Sequence, residues 1–298
     1  MAASLSSPQN RTLISSAALS RRKGRITYRI VLTVVLIVFT LVFIGPLYWM
    51  VTGGFKSASE VVANPPTYFP KHPRPSNYHT AWTQLKLARL LFNTLYYAFG
   101  ALAFQLVFDV AAAYAVSKLR PVFGNVILAG MLATLMIPSA VLIVPQYVTV
   151  LDLPLLHLNL IGTPWAIWLP TVANGFNIFL LKRFFDSIPN DLMHAAAIDG
   201  AGPLRTLWSI ILPMSRPILG VVSIFAVVNV WKDFLWPMLV EPDPKNQPIN
   251  LGINSLSQGV PENIIIAALA ISAVPTLLIF LLFQRNIMSG LTAGSLKG

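Results

Sequence analysis

Three ionisable side chains lie inside long apolar stretches of this sequence: Asp109, Lys232 and Asp233. A charge at the centre of a bilayer costs about 2.5–3.5 kcal/mol on insertion scales, so each should face protein or water, and each marks a place where a solute, ion or proton could be handled. Asp109 lies eight residues from the inner end of its stretch, roughly 12 Å deep at about 1.5 Å per residue. Lys232 lies a similar distance from the outer end of another, and the difference in depth argues against a direct ion pair. Asp233, with Trp231 and Asn229, fits a polar translocation path. The same cluster equally fits a clamp between helices, with Lys232 reaching outward along its apolar stem. Asn174, Phe176 and Asn177 form a second polar and aromatic group. Such a group suits sugar recognition, because amides bond hydroxyls while an aromatic ring covers the apolar sugar face. Trp165 and Trp168 fit an interfacial belt or packing role.

Other chemistries find no support. The phosphate-cradling pattern Gly-x-x-x-x-Gly-Lys-Ser/Thr does not occur, nor does a Gly-x-Ser-x-Gly nucleophile elbow. His72, His79, His157 and His194 are scattered over loops without metalloprotease spacing. The chain has no cysteine, which excludes disulfides and thiolate metal sites. Neither a catalytic residue nor a metal site is expected.

A moderately polar loop, residues 191–217, lies between two apolar segments and reads as two short helices with a sharp corner. Pro189 and Asn190 open the first helix and Gly200 closes it, since glycine suits the left-handed cap position. Gly202 and Pro203 start the second, which Pro213 must bend or end. Ala195, Ala196 and Ala197 carry almost no side chain, so another protein's surface could approach the backbone closely.

This loop resembles the signature cytoplasmic loop of ATP-binding-cassette importer permeases. That pattern runs Glu-Ala-Ala, three residues, Gly-Ala, an apolar residue some five positions on, and then Ile-x-Leu-Pro with a further Pro. Ala195, Ala196, Gly200, Ala201, Leu207, Ile210, Leu212, Pro213 and Pro217 occupy it, and Asp199 precedes the glycine. His194 stands where the family usually has Glu. Asn93-Thr94, Ala113-Tyr114-Ala115 and Trp231-x-Asp233-Phe234 with Pro237 are further family-like points, although the family more often has Asn at the Lys232 position. The ending from Gly290 to Gly298 is similar to the tail of maltose-type permeases of the carbohydrate-uptake subfamily.

The resemblance implies an all-α integral membrane protein of the type I importer permease kind, with six transmembrane helices and both termini in the cytoplasm. It implies a role in uptake of a sugar or oligosaccharide by alternating access. His194, Ala195, Ala196, Asp199, Gly200, Ala201, Leu212 and Pro213 are the expected ATPase-coupling residues. Asn174, Asn177, Asn229, Trp231 and Asp233 remain the substrate-path candidates. The implied partners are a second homologous permease, two ATPase subunits, an extracytoplasmic solute-binding protein and the lipid membrane. ATP and Mg would sit on the ATPases and no cofactor in this chain. Another solute such as glycerol phosphate, or an ion-coupled secondary transporter using Asp109 and Asp233 as relays, are the alternatives. The latter class often shows inverted repeats, and none is evident here.

Composition agrees. Hydrophobic residues make up 55% and charged residues 10% of the chain, far below the roughly 25% charged content of a soluble domain. Six apolar segments, near residues 30–50, 90–117, 125–151, 160–181, 218–240 and 264–283, approach or exceed the roughly 20 residues a bilayer-crossing helix needs. Pro138, Pro145, Pro164 and Pro170 in the third and fourth are expected as kinks. With the N-terminus inside, the inner segments hold 14 of the 21 Lys and Arg residues and the outer loops 6, Lys232 being intramembrane; this bias places both termini in the cytoplasm. The net charge of +11 therefore reflects membrane topology and not nucleic-acid binding.

The expected division is a basic cytoplasmic arm at 1–29, a permease domain at 30–284 with its coupling loop at 186–217, and a cytoplasmic tail at 285–298. The arm lacks a cleavage site and is not read as a removable signal peptide. The proline-rich first outer loop is expected to lie extended. For the third, near 241–263, the resemblance to maltose-type permeases implies contact with the binding protein; the alternative is a passive connector. The setting is the cytoplasmic (inner) membrane of a prokaryote.

Overall fold

The computed structural model describes residues 22–293, with side chains through residue 284. Residues 1–21 and 294–298, most of the basic arm and the end of the tail, lie outside the described residues. The described chain is helical, and its only β pairing is an isolated bridge between Leu153 and Leu158.

Three helices are long and apolar enough to cross a membrane unbroken: α1 (Arg22–Gly54), α2 (Leu87–Tyr114, prolonged by the π-turn Ala115–Leu119) and the last helix, Glu262–Ala293. The other expected segments are interrupted. The third divides into α3 (Gly124–Thr134) and α4 (Ser139–Leu151), which meet at 107°. Pro138 sits at that break, where its missing N–H prevents a continuous ladder.

The fourth segment departs furthest from a single helix over 160–181. It contains short turns at Trp165–Trp168 and Leu169–Thr171, then a break, then α5 (Gly175–Ser187), which runs six residues past the expected end. Pro164 and Pro170 shorten the first part, and the Asn174 side chain caps the restart by accepting from the Asn177 N–H at 3.1 Å.

Next come α6 (Asn190–Ile198) and α7 (Pro203–Thr206), which continues through the wide turn Leu207–Ile211 to Leu212–Met214. The chain bends by 84° into α8 (Arg216–Lys232). Lys232 ends α8, so the fifth segment is also broken, and α9 (Leu235–Val240) resumes it. Last are α10 (Ile249–Leu256) and α11 (Glu262–Ala293). The first part of the tail, residues 285–293, continues α11 as helix.

Helices α2 and α8 pack against each other and carry the core. Three buried clusters succeed one another along α2. The outer one joins Leu87 and Leu90 to Trp231, Ile249 and Ala267; the middle one joins Tyr97 and Ala101 to Trp168, Val227 and Trp236; the inner one joins Val110 and Tyr114 to Leu181, Phe185, Ile211 and Val222. At Gly100 the indole of Trp168 comes so close that any Cβ would collide with it. Helix α1 stands apart and packs mainly along α11, its apolar residues from Ile30 to Phe43 exposed.

The first outer loop is more ordered than an extended strand of prolines would be. It contains short helices at Ala58–Val61 and Ser76–Gln84. Buried Lys56 lies 4.2 Å from the centroid of the Trp49 ring and donates from Nζ to the Thr67 carbonyl. Glu60 Oε1 accepts from the Lys71 N–H and the Thr67 hydroxyl, each at 2.9 Å. The Lys71 amide, chiefly, holds the Glu60 carboxyl below its ordinary value.

Candidate functional site: a capped double break and a helical hairpin

The break before α5 leaves the Asn174 N–H without an intrahelical partner. Asp109 Oδ1, on α2, accepts from it at 2.9 Å. Asp109 is completely buried, and its other oxygen, like Nδ2 of buried Asn177, has no hydrogen-bond partner among the described residues. The break after α8 is built alike. Asp233 is extended (φ −69°, ψ 130°), and its Oδ1 accepts from the Trp236 N–H at 3.3 Å, capping the start of α9. Trp236 is wedged in place by donating from Nε1 to the Ala166 carbonyl at 2.9 Å.

The two breaks border one cavity. Gln105, Thr171, Asn174, Asn229, Asp233 and Trp236 line a recess of about 170 Å³. A wider space of about 600 Å³ adjoins it, shares Thr171, Asn229, Asp233 and Trp236, and adds Ser139, Gln146, Lys232 and Phe234. Amides, hydroxyls and two aromatic rings thus line an open space within the usual 300–1,000 Å³ range for a small-molecule site.

Of the path candidates, Asn174, Asn229 and Asp233 come together here. Asn177 lies beneath the break, 1% exposed, and lines neither space. Trp231 does not join them either: its ring packs in the outer cluster with Leu90 and Ile249, and its carbonyl accepts from Asn250 Nδ2 at 2.8 Å. Sequence reasoning missed Gln105, Gln146, Thr171 and Trp236. Gln105 and Gln146 did leave a signal, being amides within otherwise apolar runs.

At the other end of α5, Ile188 and Pro189 lead directly into α6. Gly200 has φ +74°; its N–H bonds the Ala197 carbonyl at 3.1 Å, and the Ala201 N–H bonds the Ala196 carbonyl at 2.8 Å. These paired bonds satisfy the helix's last carbonyls and fix the corner. His194, Ala195, Ala197, Asp199, Gly200 and Pro213 are exposed, Ala201 and Leu212 half-buried. Ala196 is buried, so the three alanines do not form one open face; consecutive helix residues point in different directions. Ile198, Leu204 and Trp208 leave 86%, 73% and 70% of their surface exposed, an apolar patch of the kind that marks a contact surface.

The hairpin is braced against the bundle. Tyr114 donates from its hydroxyl to the Pro203 carbonyl at 3.0 Å, and Lys118 donates to the Ile188 carbonyl at 2.7 Å and Asn190 Oδ1 at 3.0 Å. Ser117 and Lys182 both donate to Asp186, each at 2.7 Å.

Membrane-length helices, a polar cavity at two helix breaks and a braced hairpin with an apolar outer patch define the class: a transport permease of the type I importer fold. The chain belongs to the family described as binding-protein-dependent transport system inner membrane component, which matches residues 109–292. It is a multi-pass protein of the inner membrane and a transport subunit. Among its relatives, it is 33% identical to the sulfoquinovosyl glycerol transport system permease protein SmoH of Agrobacterium fabrum, over 85% of this chain and 88% of that one. It is 30% identical to the diacetylchitobiose uptake system permease protein NgcG of Streptomyces coelicolor, over 95% and 92%. The crystal structure of a bacterial ABC transporter involved in the import of the acidic polysaccharide alginate matches with a TM-score of 0.77 at 22% identity, over 89% of this chain and 98% of that one; this likeness concerns the fold.

Proposed function

We propose that this chain is one of two permeases in an ATP-driven importer for a sugar-like solute delivered by an extracytoplasmic binding protein. A second homologous permease covers the open side of the cavity. Two ATPase subunits carry ATP and Mg and seat the hairpin around His194, Ala195, Asp199 and Gly200, with Ala196, Ala201, Leu212 and Pro213 holding its shape. No cofactor is required in this chain. Both termini face the cytoplasm. The names of the relatives set the first solutes to try: sulfoquinovosyl glycerol, diacetylchitobiose and, from a permease 27% identical over 88% of this chain, sn-glycerol 3-phosphate.

One observation carries this reading. Helix α5 runs from the break at Asn174, on the cavity wall, to Ser187, and only Ile188 and Pro189 separate it from the hairpin at Asn190, so displacement of the hairpin by an ATPase reaches the solute space through one helix and a two-residue link. The ion-coupled alternative needs Asp109 and Asp233 to exchange protons, whereas one carboxylate oxygen of each is engaged by a backbone N–H at a helix start. Proteoliposomes containing the full complex test the choice: uptake requires ATP and the binding protein and withstands an ionophore. Uptake that survives ATP depletion and stops with the ionophore would overturn the proposal.

A further inference from the structure

We infer that the solute carries an anionic group, a carboxylate, sulfonate or phosphate on a sugar or polyol, and that Lys232 receives it; this rests on the importer reading above. Lys232 is exposed on the wall of the larger space. Among the described residues its Nζ takes part in no salt bridge or hydrogen bond. Of the side chains lining that space, only Lys232 and Asp233 carry charge. They are not equivalent: the Asp233 carboxylate is turned to the Trp236 amide at the start of α9, where a helix terminus already balances it. Lys232 remains as the cation on the wall of the space.

A lysine inside an apolar span is retained where it meets a partner; Asp233 beside it supplies an opposite charge, but its carboxylate is engaged by the Trp236 amide, which leaves the ammonium able to receive an anion from the solute. The remaining lining fits the rest of such a molecule. Ser139, Gln146, Thr171 and Asn229 offer donors and acceptors for hydroxyls, and the rings of Phe234 and Trp236 offer apolar faces. An ammonium is a compact point charge without the planar fork of a guanidinium, so the three oxyanion types are alike acceptable to it.

The test uses the complete importer with its own binding protein in proteoliposomes. The solutes are sn-glycerol 3-phosphate, sulfoquinovosyl glycerol, a uronate disaccharide and the neutral diacetylchitobiose. An anionic solute is expected to be taken up. Lys232→Gln should lower its uptake rate at saturation by about tenfold or more, in the range for truncating one partner of a charge pair, while Lys232→Arg keeps most of the rate. The inference falls if the imported solute is diacetylchitobiose, if Lys232→Gln carries the anion at the native rate, or if Gln and Arg impair it equally. In each of those cases ATP-driven sugar import still stands. If ATP drives uptake of none of the four, the importer reading itself is at fault.

Discussion

Gly200 shows how much a single residue type can disclose. Its positive φ closes α6, and a Cβ there would meet nothing within 4 Å, so the cost of replacement is conformational and local. Gly200→Leu is expected to strain the corner by about 1–2 kcal/mol, leave membrane insertion intact and strongly reduce ATP-dependent uptake. Native-rate transport in vesicles would remove the hairpin from the docking role. Glu241, at the end of α9, gives a prediction that depends on pH. It is buried, with Oε2 accepting from the Tyr97 hydroxyl at 2.9 Å. Burial raises its carboxyl above the ordinary 4.5, against the pull of the Tyr97 and Asp243 hydrogen bonds. A raised carboxyl favours the fold in acid and loses that contribution as pH rises from 4.5 through its folded value. Glu241→Gln keeps an acceptor for Tyr97 without the buried charge and gives up only the longer, 3.2 Å bond from the Asp243 N–H. It should raise the melting temperature near about pH 8 and lose that advantage as the buffer approaches the ordinary carboxylate range, read by tryptophan fluorescence. Gly200, Pro203 and Asn190 were legible because they act on the backbone beside them. Trp231 was not: which way its ring points depends on where α8 ends, and α8 ends one residue later, at Lys232.

Among the elements, α1, α2 and α11 were legible from length and apolarity, while the three broken segments were not. Average hydropathy does not register a break. Proline marks where a ladder fails, but the restart depends on a cap that comes from elsewhere. Asp109 is the plainest case, 65 positions from the Asn174 amide it accepts from. Removing that acceptor leaves a buried N–H unpaired, which costs about 1–3 kcal/mol. Asp109→Ala is therefore expected to lower both the melting temperature and the uptake rate, and Asp109→Asn, which keeps a carbonyl oxygen in place, to preserve most of each. If Asp109→Asn melts normally yet stops transport, the carboxyl has a titrating role and is more than a cap.

For the whole molecule, the lysine and arginine bias predicts that the hairpin and the third outer loop lie on opposite sides of the membrane. Ser209 and Gln258 are both exposed, and the chain has no cysteine of its own, so a single cysteine at each site reports its side. Gln258→Cys should react with a membrane-impermeant reagent from outside and Ser209→Cys only after permeabilisation; outside labelling of Ser209→Cys would invert the topology. The same geometry sets a gearing ratio. Thirteen residues of α5 make a rod about 20 Å long, held at its Asn174 end by Asp109. A one-turn displacement of the hairpin, about 5 Å, would swing such a rod by roughly 15°. Groups within about 3 Å of the pivot, about two residues of helix rise, would then travel less than about 1 Å. If the proposed site is right, contacts to the solute at Asn174 would stay almost constant through the stroke while the far end sweeps, so that recognition and access would be set at opposite ends of one beam.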